Sequence, residues 1–279
     1  MATTTFLAPA KLNLFLHITS KRADGYHCLQ TIFQFIDYCD ILSINKRSDS
    51  RLSSHYANAK SFPPEQDLVL RAAHLLKQYS GTSQGADIEV EKKIPIGGGL
   101  GGGSSDAATT LLALNKIWQL NLSYVTLATL GLKLGADIPV FVHGHAAWAE
   151  GIGELLTPIN LDEPWYFVIE PGCSVSTAKI FNAKGLTRDK LSVTIDEFFA
   201  GQCQNVCEEV VRYYYPQIGE ALDWLSQYSP ARLTGTGACL FARFDDLAQA
   251  KAVFAKMPTQ WRGFVAQGKN ISPALSFFR

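Results

Sequence analysis

Leu12, Leu14, Leu16 and Ile18 alternate with Lys11, Asn13, Phe15 and His17, the two-residue period of a half-buried strand. One face is apolar; the other opens on Lys11 and Asn13. Asp24-Gly25 marks a turn, and the mostly apolar run from Gln30 to Ile44 predicts further strand. The period changes at Leu68, where Leu68, Ala72, Leu75, Leu76 and Tyr79 form one helical stripe after Asp67, a candidate N-cap. Ile88 and Val90 then alternate with Glu89 and Glu91 in a short strand that runs into glycines. Beyond them, Ala107-Ala108, Leu111-Leu112, Leu114 and Ile117-Trp118 recur at helical spacing, with Ser104, Ser105 and Asp106 as capping and first-turn residues. A further helix from Tyr124 to Leu134 ends at Gly135, and Asp137-Ile138-Pro139 opens a segment leading into strand-like Val140 to Ala149.

Around Leu155 to Pro164 the chain reads as loop, which places a domain boundary near residue 160 and gives two domains, 1–160 and 161–279. The second half mixes a strand at Trp165 to Ile169, helices after Asp196 and around Gln217 to Tyr228, and a second glycine motif, Leu233-Thr-Gly-Thr-Gly-Ala238. A strand from Cys239 to Phe244, a helix from Asp246 to Met257 and a closing strand from Gly263 to Gln267 complete it. The expected class is α+β.

The 279 residues are 47% hydrophobic and 18% charged, enough to bury a sizeable core. Lys+Arg and Asp+Glu balance at 25 each, so neither nucleic acid nor an anionic membrane is an expected partner. No apolar run approaches the ~20 residues of a membrane-spanning helix. The N-terminal apolar run lacks a basic segment before it and a cleavage pattern after it, which points to a cytoplasmic protein. Six cysteines are scattered without a CxxC pair and the six histidines all fall at or before His145, so no metal site is expected. His143 and His145, two apart on the expected strand, are read as structural or surface residues.

Between Ile96 and Ser104 stand six glycines in seven residues, IPIGGGLGGGSSD as a whole, joining strand to helix. Each glycine costs roughly 0.5–1 kcal/mol relative to alanine, so the run needs a purpose. A glycine-rich turn feeding a helix N-terminus presents several N–H groups to one point and puts the positive end of the helix dipole behind them. That is a phosphate cradle. Gly103 is followed by Ser104 and Ser105 with no lysine, so the loop is not of the Walker A type. Gly97, Gly99 and Gly102 match GxGxxG, but Ala107 to Ala136 contains no acidic residue to hold a ribose, which argues against a dinucleotide oxidoreductase. A flexible linker and a non-catalytic phosphate-binding module are the remaining alternatives.

Taken in order, PAKLNLFLHI (9–18), ADGYH (23–27), IPIGGGLGGGSSDAA (94–108), LGADIPVF (134–141) and LTGTGA (233–238) resemble the GHMP small-molecule kinase superfamily over nearly the whole chain. PAKLNL with ADGYH is similar to the branch whose acceptor is a cytidine-diphosphate-linked methylerythritol, rather than to the mevalonate, homoserine or galactose kinases. The resemblance implies a ribosomal-protein-S5-like N-terminal domain, a ferredoxin-like C-terminal domain and an active site in the cleft between them. It implies ATP as co-substrate with Mg²⁺, a small-molecule acceptor phosphorylated on its 2-hydroxyl, isoprenoid biosynthesis as the setting, and a monomer or weak homodimer.

By the same resemblance Asp137 matches the catalytic aspartate and Lys11 the catalytic lysine, while the ATP phosphates lie over Pro95, Ile96, Gly97, Gly98, Gly99, Leu100, Gly101, Gly102, Gly103, Ser104 and Ser105. Asn13, Tyr26, His27, Thr177 and Phe181 match or neighbour acceptor-binding positions, with an aromatic plane to stack on cytosine and His27 to meet the base edge. Read from the residues alone, a lysine at a strand start is often solvated and an aspartate before Ile-Pro is often only a cap. Relatives carry Asn-Leu at the helix start near adenine, whereas this chain has Asp67-Leu68 and so lacks that amide donor. Another GHMP small-molecule kinase, or a relative that binds ligand without catalysis, is the alternative function.

Overall fold

The computed structural model of the chain describes residues 3–278. Two long antiparallel strands, β1 (Thr4–Lys21) and β2 (His27–Arg47), meet at a turn where Gly25 takes φ +89°, a left-handed angle that suits glycine. They are followed by β3 (Leu52–Tyr56), α1 (Leu68–Ser80) and β4 (Gly85–Glu91), with β4 antiparallel to β2 and parallel to β3. Asp67 caps α1 as expected, accepting from Val69 N and Leu70 N at 2.9 and 3.1 Å. Helices α2 (Gly102–Ile117), α3 (Tyr124–Leu132) and α4 (Ile138–His143) come next, then the hairpin of β5 (Ala147–Glu150) and β6 (Leu155–Pro158), with β5 also paired to β2.

The second half runs β7 (Trp165–Glu170), α5 (Thr177–Phe181), α6 (Ile195–Phe199), α7 (Glu208–Tyr214), α8 (Pro216–Ser226), β8 (Ala231–Leu233), β9 (Leu240–Phe244), α9 (Leu247–Phe254) and β10 (Arg262–Lys269). A 3₁₀ turn, Pro273–Phe277, follows. The strand order β3-β4-β2-β10-β7-β9-β8 makes one continuous path, because Gly268 and Lys269 of β10 pair with Ile36 and Phe35 of β2. The fold is α+β, as the pattern predicted.

Three apolar clusters share β1. Phe6 and Ala8 enter a core with α1, α2 and α3; Ala10, Leu12, Leu14 and Phe15 enter a middle cluster with β7, β9 and β10; Leu16 and Ile18 enter the core of the second half. Register shifts after Pro9, Asn13 and Ile18 redirect the strand between them. The face that opens on Lys11 and Asn13 is therefore not a solvent face. Both side chains are buried, at 3% and 4% exposure, because the glycine loop packs on Lys11 and the loop after β8 on Asn13.

Four local expectations are corrected. Val140 to His143 continue α4, with strand beginning only at Ala147; every residue from Ile138 to Val142 is buried, and a run apolar on all sides carries no period to separate helix from strand. His143 therefore ends a helix and His145 lies beyond the left-handed Gly144, so the two share no strand face. Leu155 to Pro158 is strand, paired with β5, which narrows the loop to Ile159 to Pro164. Finally, the N-cap of α2 is Gly101 at φ +74°, with no side-chain cap; Ser104 and Ser105 stand in the first turn, as expected, and Asp106 follows it inside the helix.

Candidate active site

The glycine run is fixed from both sides. Lys11 N donates to Leu100 O at 3.0 Å from β1, and Cys239 N donates to Gly98 O at 3.0 Å from the second half. Gly97, Gly99 and Gly101 take φ of +73°, +75° and +74°, so left-handed residues alternate along the loop. At Gly99 a Cβ would stand 2.3 Å from Thr234 O, and at Gly101 it would meet the Phe141 ring at 2.7 Å and Lys11 Cε at 3.1 Å. Glycine is required there by close approach as well as by backbone angle. The loop borders a cavity of about 460 Å³ that it shares with Tyr56, Phe62, Gln66 and Thr177. Ile96 is exposed at its rim, Ser104 lines it, and Ser105 is fully buried with a hydroxyl that has no partner among the described residues. A larger cavity of about 520 Å³, bordered by Leu14, Phe199, Tyr228 and Arg232, touches none of the expected site residues.

Lys11 and Asp137 meet at the inner end of the loop. Lys11 Nζ lies 3.4 Å from Asp137 Oδ2 and donates to Asn13 Oδ1 at 2.5 Å and Gly99 O at 3.1 Å. Those three oxygens match the three donors of an ammonium group. Asp137 holds the N-cap position of α4 but makes no capping bond, so its carboxylate is free to face Lys11, and its side chain is 36% exposed. A buried lysine and a partly open carboxylate in contact leave an acidic side chain that a substrate can approach.

Asn13 supports this pair. Its amide nitrogen donates to Thr31 Oγ1 at 3.0 Å while its oxygen accepts from Lys11, so both ends of the amide are engaged within the protein. Its backbone N–H donates to Thr234 Oγ1 at 3.0 Å, and that hydroxyl donates to Gly99 O at 3.3 Å. The LTGTGA stretch thus clamps strand and loop together. The amide keeps a second N–H and a second oxygen lone pair with which to meet a ligand.

Of the other expected residues, Thr177 is exposed at the loop cavity and shares a hydrogen bond of 2.9 Å with Thr236. One turn along α5, Phe181 stacks on His27 with centroids 5.3 Å apart and planes 17° from parallel. Tyr26 is 60% exposed and stands apart from that stack. The structure therefore gathers Lys11, Asn13, Asp137 and the loop at one point, with Thr177 across the cavity, and sets His27 and Phe181 together along α5.

Two groups escaped the sequence reading, and Asp67 has partners beyond the cap it was expected to make. Asp67 is buried and accepts from Tyr56 Oη at 2.9 Å and from Ser54 as well as from the α1 backbone, so its carboxylate faces inward. Lys92 lies between Asp40 and Asp106 beneath the loop, 2.6 Å from Asp106 Oδ2, while Asp40 also accepts from Lys93 N and from Ile94 N at 2.8 Å. Burial, with Asp40 nearby and only partly opposed by Lys92, pushes the Asp106 carboxyl up to about 7. Arg188, in the loop after α5, donates to three backbone carbonyls near Phe181. Charged residues inside apolar stretches, such as Asp40 in FIDYCDILSI, were the available signal.

Residues 67–145 match the family described as GHMP kinases N terminal domain, and residues 194–263 match GHMP kinases C terminal. The chain is 57% identical over 265 residues to the 4-diphosphocytidyl-2-C-methyl-D-erythritol kinase of Nitrosococcus oceani, covering 95% of this chain and 94% of that one. It is 54% identical over 272 residues to the enzyme of the same name from Alkalilimnicola ehrlichii, covering 98% and 93%. Among solved structures, a crystal structure of 4-(cytidine 5'-diphospho)-2C-methyl-D-erythritol kinase superposes with a TM-score of 0.82 at 29% identity, covering 95% of this chain and 99% of that one.

Proposed function

The chain belongs to the GHMP kinases, and from that premise we propose that it transfers the γ-phosphoryl group of ATP to the 2-hydroxyl of 4-diphosphocytidyl-2-C-methyl-D-erythritol, a step of non-mevalonate isoprenoid biosynthesis. The observation that carries the mechanism is the 3.4 Å contact between buried Lys11 and open Asp137 at the inner end of the glycine loop. Phosphoryl transfer asks the protein chiefly for positioning and charge stabilisation, plus a group to take the proton of the attacking alcohol. In this reading the loop amides and the N-terminal end of α2 hold the ATP phosphates. The acceptor oxygen attacks the γ-phosphorus, the bond to the β–γ bridging oxygen breaks, the alcohol proton passes to Asp137, and ADP leaves. Lys11 holds Asp137 in place and stabilises the charge on the oxygens.

Mg²⁺ enters as part of the nucleotide co-substrate. Among the described residues no group of three or more His, Cys, Asp or Glu side chains could hold an ion, which suits a cation carried by phosphate oxygens and water. Tyr26, His27 and Phe181 are assigned to the cytosine end and Thr177 to the ligand-facing wall of the second half. Asn13 is assigned first to holding Lys11. Residues 1–160 and 161–279 are taken as the two domains, each built mainly around its own apolar cluster, with β1 and the middle cluster joining them. No helix among the described residues is long and apolar enough to cross a membrane, and an ATP-using metabolic enzyme, monomeric or weakly dimeric, is placed in the cytoplasm.

Incubation of pure protein with ATP, Mg²⁺ and this acceptor should release ADP in step with acceptor phosphorylation. Turnover on mevalonate or homoserine with none on the cytidyl compound would move the assignment elsewhere in the family.

A further inference from the structure

Arg188 stands where the nucleobase end of the acceptor is assigned, and it makes an unusual set of bonds. Its two terminal nitrogens donate to Phe181 O and Ala183 O, both at 2.7 Å, and to Leu186 O at 3.1 Å. These carbonyls lie at and beyond the C-terminal end of α5, where the helix leaves its last acceptors without intrahelical partners. The planar guanidinium presents its donors in a rigid fork, whereas an ammonium is a compact point charge on a flexible stem. No carboxylate among the described residues pairs with it. The charge is left uncompensated next to His27, whose ring stacks on Phe181. His27 Nε2 is buried and has no hydrogen-bond partner among the described residues, a polar atom that awaits one from a ligand.

We propose that Arg188 is a positioning residue for the acceptor, bracing the Phe181 wall of the nucleobase slot and setting a fixed positive charge against His27. The inference rests on the acceptor assignment above. Bracing follows from the bond to Phe181 O, which ties the end of a five-residue helix to the following loop. The charge acts on the imidazole. Burial, then Arg188, then Lys21 hold His27 below its ordinary range, so the ring stays neutral and keeps both a donor and an acceptor for a base edge. The charged groups around it are Arg188 from the loop after α5 and Lys21 of β1, its partner across the ladder; Arg22 and Asp24 in the intervening turn neutralise each other at 2.7 Å.

The test compares R188M and R188K with wild type, varying the cytidyl acceptor at saturating ATP across pH 5 to 8. R188M removes fork and charge, and we expect the acceptor KM to rise about tenfold or more with kcat and the ATP KM nearly unchanged. The acid limb of kcat/KM for the acceptor should also move to higher pH, because His27 holds its proton longer without the neighbouring cation. R188K keeps the charge but not the three-carbonyl fork, so its KM should rise while the acid limb stays in place. An unchanged KM in R188M, or the same acid limb in R188M as in wild type, overturns the proposal. If R188M does not fold, a wild-type KM in R188K does so alone. Wild-type protein that ignores the cytidyl acceptor but phosphorylates another alcohol overturns the acceptor assignment itself, a result read before either variant is made.

Discussion

Asp137 occupies the N-cap of α4 yet caps nothing, and its carboxylate instead faces Lys11 Nζ at 3.4 Å. A helix start ordinarily recruits such a side chain to its free N–H groups. Because this one is not so used, removing it should affect chemistry more than folding. For Asp137→Ala we expect turnover to fall at least about 10²-fold, the low end for a positioned general base, with ATP affinity by calorimetry close to wild type. A near-normal rate of ADP release would remove Asp137 from that role.

Two glycines of one loop should respond differently. Gly97 and Gly99 share a left-handed φ, but a Cβ on Gly97 meets nothing within 4 Å while one on Gly99 meets Thr234 O at 2.3 Å. G97A should therefore cost only the backbone penalty, about 1 kcal/mol, and leave ATP binding measurable. G99A must push the loop away from the second half, and its ATP KM should rise well beyond that of G97A. Equal kinetics for the two variants would mean that the contact with Thr234 does not shape the loop.

Lys92 is the cation between two buried carboxylates. Replacing it with methionine leaves Asp40 and Asp106 without it beneath the loop. Breaking a buried pair from one side costs about 3–5 kcal/mol, so K92M should lower the free energy of unfolding in denaturant by that order. A loss below about 1 kcal/mol, the range of surface pairs, would show that the cluster is solvated after all.

The same cluster sets a pH dependence. Native Asp106 keeps its proton to about 7, whereas the unfolded side chain releases it near 3.8. Between those values the native state binds more protons, so this group's contribution to stability falls as pH rises and levels off above about 7. D106N removes that slope. Denaturant unfolding at pH 5 and pH 8 should show wild type losing more stability than D106N over the interval, with the histidine contributions common to both. Identical differences for the two proteins would place the Asp106 titration elsewhere.

What could be read from the chain was whatever recurs at short range. The strand from Lys11 to Ile18, the stripe of α1 with its Asp67 cap and the glycine run between strand and helix all survive in the structure, since each is set by neighbours within a few residues. Val140 misled because a helix buried on every side has no period. Asn13 is different in kind. Its partners Thr31 and Thr234 lie 18 and 221 residues away, and only the fold reveals that its amide is engaged on both ends. Asp40, Lys92 and Asp106 likewise come from a strand, the loop after β4 and a helix, and their separate spacings announce nothing.

Phe277 and Phe278 lie against Phe6 of β1, at ring distances of 5.9 and 5.3 Å, and Phe277 O accepts from Lys116 at the end of α2. Ile271 also pairs with His145, and β10 with β2. Phe277 and Phe278 thus seal a core that Phe6 begins, and the two meet only after the stretch between them has been made. During translation the amino-terminal half must wait, with one side of β1 uncovered, until residue 278 has cleared the ribosome. Nascent chains halted before residue 270 should accordingly stay open to proteolysis, however well their own helices have formed.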